Sequence, residues 1–257
     1  MKQPKIVISQ DKCVGCGLCS KVCVAHNIKI NAKKAETVMY NCVMCGQCSA
    51  VCPQNAISVV GYEDEQIEKS QGTHLDPAKV LDAIRFRRSI RNFKQKDIPS
   101  EVIEQIIEAG RLTHTAENKQ DVSFTVLQKE KDSIEKLAVK IFRKVKPIAN
   151  LFSPVARNNK IDDNFFFFNA PSVIVISASD KTNGILAAQN MEFVAEAYGL
   201  GVLYSGFFTM AANVSRKIKK AIGLPRGKKV AITLVLGYPS IKYLRSTPHK
   251  KADVKYL

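Results

Sequence analysis

Residues 13–23, CVGCGLCSKVC, return 29 positions later as residues 42–52, CVMCGQCSAVC. The two copies contain all eight cysteines of the chain, each copy with the spacing Cys-x₂-Cys-x₂-Cys-x₃-Cys. The same shift superimposes five further identical pairs, which are Val14 and Val43, Gly17 and Gly46, Ser20 and Ser49, Val22 and Val51, and Ile28 and Ile57. Such a repeat predicts two similar substructures within the first sixty or so residues.

The cysteine spacing predicts two [4Fe–4S] clusters. No secretory signal is recognisable before the cysteines, so metal binding is favoured over disulfides. The spacing, with Pro53 after the second copy, is that of bacterial two-cluster ferredoxins, in which the fourth cysteine of each run serves the other cluster. The predicted ligands are Cys13, Cys16, Cys19 and Cys52 for one cluster, and Cys42, Cys45, Cys48 and Cys23 for the other.

A pair of zinc sites is the alternative, because Cys-x₂-Cys also suits tetrahedral zinc. Three cysteines at successive intervals of three, followed by a fourth, favour a cubane cluster instead. The first copy departs from the ferredoxin pattern at Val24, where a proline usually follows the fourth cysteine. This change removes no ligand, so we expect a module that relays electrons.

Composition and charge bear on two other function classes, nucleic-acid binding and membrane association. The chain has 257 residues and a formal net charge of +16, which raises the possibility of nucleic-acid binding. Its basic residues are scattered apart from a cluster near the carboxyl end, so a generally basic solvated surface is favoured and no nucleic-acid partner is expected. Because neither a membrane-length apolar run nor a signal peptide is recognisable, we expect no membrane partner and a cytoplasmic location.

The order of elements predicts two domains and an α+β fold. Residues 1–62 form the small ferredoxin-like domain, residues 63–76 a polar linker, and residues 77–257 a second α+β domain. Periodicity predicts helices starting at Asp76-Pro77 and after Ser100, and over 134–145, 185–198 and 214–222. Strands are expected at 28–30, 57–60, 122–127, 172–176 and 230–236, and the segment from Gly199 to Gly206 is expected to be a loop.

From Ile84 onward the chain resembles the nitroreductase family in four segments. The first is Arg87-Arg88-Ser89-Ile90-Arg91-Asn92-Phe93 at a helix end, and the second is Ala109 to Gln120. The third runs from Ala187 to Gly206, and the fourth is Val235-Leu236-Gly237-Tyr238-Pro239. The second segment lacks the Pro-Trp pair that follows the glutamine in the family, since Asp121 and Val122 stand there.

The resemblance implies a bound FMN. Arg87, Arg88 and Ser89 are expected to hold its phosphate, and Arg91 to approach the pyrimidine edge of the ring. Further flavin contacts are expected from the side chains of Asn118 and Gln120, from the backbone amides of Ser205 and Gly206, and from Arg245 or Lys242 at the phosphate. The family also implies a homodimer with FMN at the interface and a carboxyl tail, residues 242–257, that wraps the partner.

The sequence therefore predicts an FMN-dependent oxidoreductase. Electrons pass singly through the two clusters and leave FMN for an electron-poor small molecule of the nitroaromatic or quinone type. The donor is a low-potential protein such as ferredoxin, or NAD(P)H. Two alternatives remain, an electron carrier that serves a protein partner and a reductase or dehydrogenase for one metabolite. Phe165–Phe168 is expected to pack in the core and the dimer rather than against substrate, and His114 is expected to be structural.

Overall fold

The computed structural model describes residues 5–38, 42–69 and 74–257. They form two compact units. The first contains the described residues up to His74 together with Thr115–Lys119, and the second contains Leu75–His114 and Gln120–Leu257. Residues 70–73 of the predicted linker lie outside the described residues. The chain therefore leaves the second unit at residue 115 and re-enters it at residue 120.

The described residues of the first unit form two short antiparallel strand pairs, two short α-helices and, at Ala116–Asn118, one turn of 3-10 helix. Its elements in order are β1 (Lys5–Ile8), α1 (Leu18–Val22), β2 (Ile28–Asn31), β3 (Lys34–Thr37), α2 (Gln47–Ala50) and β4 (Ile57–Val60). Strand β1 pairs with β4 and β2 pairs with β3. The sequence repeat is also a structural repeat, because Ser20 Oγ donates to the Ile28 carbonyl at 2.8 Å and Ser49 Oγ donates to the Ile57 carbonyl at 2.5 Å.

The second unit places helices on both faces of a four-stranded antiparallel sheet of order β5-β6-β8-β7. Its elements are α3 (Pro77–Phe86), α4 (Ser100–Arg111), β5 (Ser123–Leu127), α5 (Lys131–Phe152), α6 (Pro154–Asn158), β6 (Ser172–Ala178), α7 (Lys181–Ala197), β7 (Gly201–Tyr204), α8 (Gly206–Val214), α9 (Arg216–Ala221) and β8 (Lys229–Gly237). These elements confirm the α+β class that the sequence predicted.

Alternation along β6 divides the core of the second unit into two layers. Val173 and Val175 face one cluster with residues of α5, α8 and α9, whereas Ile174 and Ile176 face the other with residues of α4 and α7. All seven residues of β6 are buried, so this strand is covered on both faces. The central position of β6 explains why its sequence is a continuous apolar run.

One sequence expectation for the second unit is wrong. The predicted loop from Gly199 to Gly206 contains strand β7 and the start of helix α8. The helix predicted at 214–222 is present as α9, with the shorter bounds Arg216–Ala221. The glycines suggested a loop, but Gly201 lies within strand β7. A Cβ at Gly201 would be 2.5 Å from Ile90 Cγ1, so close packing explains why this strand position is a glycine. The glycine allows the segment around Ser89 to run beside β7, where it forms a parallel bridge to Val202.

Helix α3 is amphipathic, yet none of its residues is buried in the single chain. Leu81, Ile84 and Phe86 are 58%, 47% and 53% exposed. The helix begins as the sequence predicted, since the Asp76 carboxylate accepts from the Ala78 amide at 2.9 Å with Pro77 at the first helical position. Across the described ranges, no helix combines the length and apolarity needed to cross a membrane.

Candidate functional site

The eight thiols of the first unit surround two cavities. Cys13, Cys16 and Cys19 line one cavity together with Cys52, and Cys42, Cys45 and Cys48 line the other together with Cys23. The fourth thiol of each quartet thus comes from the other half of the repeat. Among the residues that the structure describes, no three His, Cys, Asp or Glu side chains are grouped as a site for one metal ion. Each quartet instead encloses a space, which is an arrangement suited to a multi-iron cluster.

Backbone amides point at three of these sulfur atoms. The Ala35 amide donates to Cys13 Sγ, the Asn27 amide to Cys23 Sγ and the Ala56 amide to Cys52 Sγ, each at 3.3 Å. Such hydrogen bonds stabilise a thiolate and tune the potential of a cluster that the thiolate binds. The bond from Ala35, and a smaller one from Gly15, lower the pKa of Cys13.

Two other cysteines are less inclined to ionise without metal. Burial raises the pKa of the Cys19 thiol, and it raises that of Cys48 to about 11. Binding of a metal deprotonates a coordinating thiol outright. A cluster that binds Cys19 and Cys48 would therefore displace a proton from each of these two thiols.

The predicted flavin residue Asn118 contacts the second cysteine loop within the first unit. Its side-chain Nδ2 donates to the Val43 carbonyl at 3.1 Å and to the Met44 carbonyl at 3.0 Å. These two bonds use the donors of the amide group. Gln120 lies in the second unit, is exposed, and adopts a positive φ of 47°.

Asp121 stabilises the chain where the family has proline. Its carboxylate accepts from the Ser179 amide at 2.8 Å, from the Ser179 hydroxyl, and from Asn183 Nδ2 at 3.2 Å. Lys228 Nζ donates to the Asp121 carbonyl and, at 2.6 Å, to Ser123 Oγ. Burial acts to raise the pKa of Asp121, but the bonds from Ser179 and Asn183 lower it on balance. A polar anchor thus fixes the start of β5 without the Pro-Trp pair.

Arg87, a predicted phosphate ligand, is held by a buried carboxylate. Its Nη1 lies 2.7 Å from Glu192 Oε2, and its guanidinium carbon lies 4.1 Å from the centroid of the Phe193 ring. Glu192 Oε2 also accepts from the Tyr204 hydroxyl at 3.0 Å and from Gln189 Nε2 at 3.1 Å. Helix α7 therefore fixes the orientation of this arginine.

Buried donors without partners lie at the end of helix α3. Within the described part of the chain, Nε of Arg87 and Nε of Arg88 are buried and have no hydrogen-bond partner. The Arg88 guanidinium also donates to the carbonyls of Arg87 and, at 2.9 Å, Arg85. Unsatisfied buried donors are costly, so two on neighbouring arginines fit a site completed by an anionic ligand.

The other predicted flavin residues are more dispersed. Ser89 and Arg91 are exposed on the segment beside β7, and Arg91 lines a surface cavity with Asn169. The Ser205 amide is already donated to the Thr233 carbonyl at 2.8 Å, whereas Gly206 is exposed at the first turn of α8. The two basic residues expected at the phosphate are exposed in the irregular tail; they are Lys242 and Arg245.

An apolar cavity between α5 and α8 was not expected from the sequence. Its aromatic wall consists of Phe142, Phe165 and Phe207, with Met210 beside them. The rings of Phe165 and Phe207 are stacked, with centroids 6.0 Å apart. One feature of the sequence could have indicated this cavity. Phe207 directly follows Gly206, which ends a segment that the family resemblance assigns to the flavin.

The four-phenylalanine segment has divided roles. Phe166 and Phe167 are 1% exposed and belong to the core, as expected, whereas Phe165 lines the apolar cavity. Both buried amides donate to Glu135 Oε1 at 2.7 Å. Burial raises the pKa of Glu135 to about 7, although the amides of Phe166 and Phe167 act to lower it.

His114, which was expected to be structural, is exposed.

Comparison with sequence families divides the chain in the same order. Residues 84–238 match the model of the Nitroreductase family, and residues 5–53 match that of the 4Fe-4S dicluster domain. A Methanothermobacter thermautotrophicus protein provisionally named NADH dehydrogenase/NAD(P)H nitroreductase is 25% identical over 170 residues, which are 63% of this chain and 78% of that protein. An NADPH-dependent oxidoreductase from Staphylococcus haemolyticus is 25% identical over 171 residues, 63% of this chain and 65% of that protein.

Solved structures share the fold of the second unit. A Bacteroides fragilis nitroreductase with bound FMN aligns with a TM-score of 0.57 at 20% identity, over 70% of this chain and 98% of that one. An iodotyrosine deiodinase bound to FMN and 3-iodo-L-tyrosine aligns with a TM-score of 0.55 at 16% identity, over 69% of this chain and 98% of that one. At these identities the likeness concerns the fold.

Proposed function

The chain belongs to the nitroreductase family and carries a 4Fe-4S dicluster domain, and from this premise we propose that it is an FMN-dependent oxidoreductase with two [4Fe–4S] clusters. It takes electrons from a low-potential donor such as ferredoxin, or from NAD(P)H, and delivers them to an electron-poor small molecule. Nitroaromatic compounds and quinones are the acceptor classes. The observation that carries the proposal is the enclosure of two cavities by four thiols each.

The first unit holds the clusters through thiolates that its fold brings together. Cys13, Cys16 and Cys19 lie around a tight loop and helix α1, and Cys52 reaches the same cavity from the other half of the repeat. Amide donors to sulfur raise the potential of a bound cluster relative to one without them. The Cys13 loop therefore provides both ligands and electrostatic tuning.

Arg87 and Arg88 are the residues best placed to hold the FMN phosphate. Their unpaired buried Nε groups offer charge-assisted hydrogen bonds to an anion. Glu192 keeps Arg87 oriented, and the Gly206 amide at the start of α8 offers a further donor. When bound, FMN supplies hydride transfer, and the clusters supply single-electron transfer.

A second copy of the chain completes the proposed site. In the single chain, the apolar side of α3 is uncovered, and two apolar residues of α7, Ile185 and Leu186, are 49% and 50% exposed. The tail from residue 242 is exposed throughout and includes Leu244 at 73% and Tyr256 at 94%. Large exposed apolar surfaces of this kind are typical of subunit interfaces.

The cavity between α5 and α8 supports a small-molecule acceptor over a protein acceptor. Aromatic side chains, among them Phe165 and Phe207, line it, and Lys146 contributes the one cationic side chain among its described lining residues. Such pockets bind planar apolar molecules with few polar groups. We therefore favour an aromatic or quinonoid acceptor.

Anaerobic purification with iron and flavin analysis tests the proposal. We expect about eight iron atoms and about one FMN per chain. Tightly bound zinc without iron, or protein that does not retain FMN after reconstitution, would overturn it. Rapid mixing of the loaded protein with NADPH and with reduced ferredoxin then identifies the donor.

A further inference from the structure

We propose that electrons leave the iron–sulfur unit from the site of Cys42, Cys45, Cys48 and Cys23, and that Asn118 positions the loop of residues 42–45 for this transfer. The inference rests on the proposed function and adds a direction to it. Its basis is a difference between two loops that the sequence repeat would make equivalent.

The first cysteine loop is covered by its own hairpin. A Cβ on Gly15 would lie 2.1 Å from the Lys33 carbonyl oxygen, so the loop packs directly against the turn between β2 and β3. Lys34 Nζ donates to the Cys13 carbonyl at 2.7 Å and to the Gln10 carbonyl at 2.6 Å. All these contacts come from nearby sequence, and Val14 at the tip is 60% exposed.

The second cysteine loop is covered by a distant part of the chain. Met44 stands where the repeat has Gly15, and it adopts a left-handed φ of 53°. Its carbonyl accepts from Asn118 Nδ2 at 3.0 Å and from the Tyr62 hydroxyl at 3.3 Å, and the Val43 carbonyl accepts from Asn118 at 3.1 Å. Val43 is only half-buried, so these bonds, rather than core packing, hold the loop.

The covering segment is joined to the second unit at both ends. Thr115–Lys119 belongs to the first unit, whereas His114 before it and Gln120 after it belong to the second. The family resemblance assigns Gln120 to the flavin. The chain that binds the second cysteine loop therefore continues, one residue after Lys119, into the proposed flavin-binding segment. No corresponding connection reaches the first loop among its described contacts.

The transfer is a single-electron step. The reduced exit cluster is oxidised, and the flavin gains the electron. Two such transfers, with uptake of one proton from water, produce the reduced anionic flavin. The electrons come from an external low-potential donor of the ferredoxin class, and the first loop, whose tip residue Val14 is 60% exposed, is left for their entry.

The test uses the full-length loaded protein and the substitutions Asn118→Asp and Asn118→Ala. Aspartate has the size of asparagine and tolerates the left-handed backbone of Asn118, but an ionised carboxylate cannot donate. The matched control is Lys34→Met, which removes the side-chain donor to the first cysteine loop. Wild-type iron and FMN contents are measured first; if they are absent, the proposed function fails rather than this inference.

Three measurements follow. Hydrogen exchange should show about tenfold more frequent opening of residues 42–48 in the Asn118 variants and no change at residues 13–19, with the reverse pattern in Lys34→Met. In potentiometric titrations followed by electron paramagnetic resonance, Asn118→Asp should lower the reduction potential of one cluster signal. Lys34→Met should instead shift the reduction potential of the other cluster signal. After photoreduction by deazaflavin, the flavin should be reduced about tenfold more slowly in the Asn118 variants only.

Wild-type exchange and wild-type flavin reduction in both Asn118 variants would overturn the assignment. Equal slowing of flavin reduction by Lys34→Met would also overturn it, because the two loops would then be equivalent. Should Asn118→Ala not assemble, the isosteric Asn118→Asp decides the question.

Discussion

Arg87 and Glu192 form an ion pair inside the second unit, with Nη1 and Oε2 2.7 Å apart and each side chain 12% exposed. The same carboxylate oxygen accepts the Tyr204 hydroxyl, so one acidic group fixes a predicted FMN ligand and a strand residue. Helix α7 thereby contributes to the candidate site through a residue that the sequence did not single out.

Removing this carboxylate is expected to destabilise the protein strongly. Glu192→Ala leaves Arg87 charged, buried and unpaired, so we expect the free energy of unfolding to fall by about 3–5 kcal/mol. Glu108→Ala is the control, because it breaks an exposed pair with Arg111 and should cost less than about 1 kcal/mol. Urea denaturation of the three proteins measures both values; similar losses for the two variants would contradict the buried role of Glu192.

Iron content of cysteine variants tests the exchange of the fourth ligand. Cys52→Ala should reduce the iron from about eight to about four atoms per chain. The double variant Cys52→Ala with Cys19→Ala should lose no further iron, because both cysteines line the same cavity. The double variant Cys52→Ala with Cys48→Ala should lose nearly all of its iron, because Cys48 lines the other cavity. The opposite pattern would mean that each run of four cysteines holds its own cluster.

Glu135 is expected to make stability depend on pH near neutrality. Its pKa in the folded state is about 7, above its ordinary value of 4.5, so the folded protein binds the extra proton. The stability that protonated Glu135 contributes is complete below about pH 4.5 and is lost as the pH rises through about 7, a loss of about 3 kcal/mol.

Glu135→Gln keeps an oxygen for the amides of Phe166 and Phe167 and should remove this part of the pH dependence. Thermal unfolding measured from about pH 5 to about pH 8 checks the slope. An exposed carboxylate that does not act on Glu135 provides the control, since Asp82→Asn should retain the wild-type slope. A Glu135→Gln protein with the full wild-type slope would show that another group titrates.

Gly201→Ala is expected to disturb the arginine segment through packing. The added Cβ would meet Ile90 Cγ1 at 2.5 Å, so strand β7 and the chain beside it must separate. We expect a loss of about 1–3 kcal/mol in unfolding free energy and weaker retention of FMN. Gly206→Ala has open space for its methyl group and should leave stability nearly unchanged, which circular dichroism on heating will compare.

The sequence was most informative where chemistry fixes spacing. The cysteine repeat predicted both quartets because cluster ligation demands particular intervals, and the apolar run at 172–176 predicted the strand that the structure shows as β6. Glycine misled the prediction at Gly201, whose small size serves close packing of β7 rather than a turn.

Contacts between distant residues were the part that local patterns did not contain. Asn118 was matched to a flavin loop by its position in the family pattern, and nothing in its surroundings signalled the carbonyls of Val43 and Met44, which lie 75 and 74 positions away. Asp121 was noted only as a departure from proline, although its carboxylate supplies the anchor of that segment. Such roles depend on tertiary hydrogen bonds rather than on periodicity.

The sharing of thiols between the halves of the repeat also constrains the order of biosynthesis. While a ribosome has made the chain only as far as Cys48, the cavity of Cys13, Cys16 and Cys19 lacks its last ligand, even though Cys23 is already available to the other quartet. Neither half is a self-sufficient cage. If the clusters are bound by these cysteines as proposed, the cluster at the earlier loop cannot be completed before Cys52 is made, and a nascent chain released before Cys52 lacks one of its ligands.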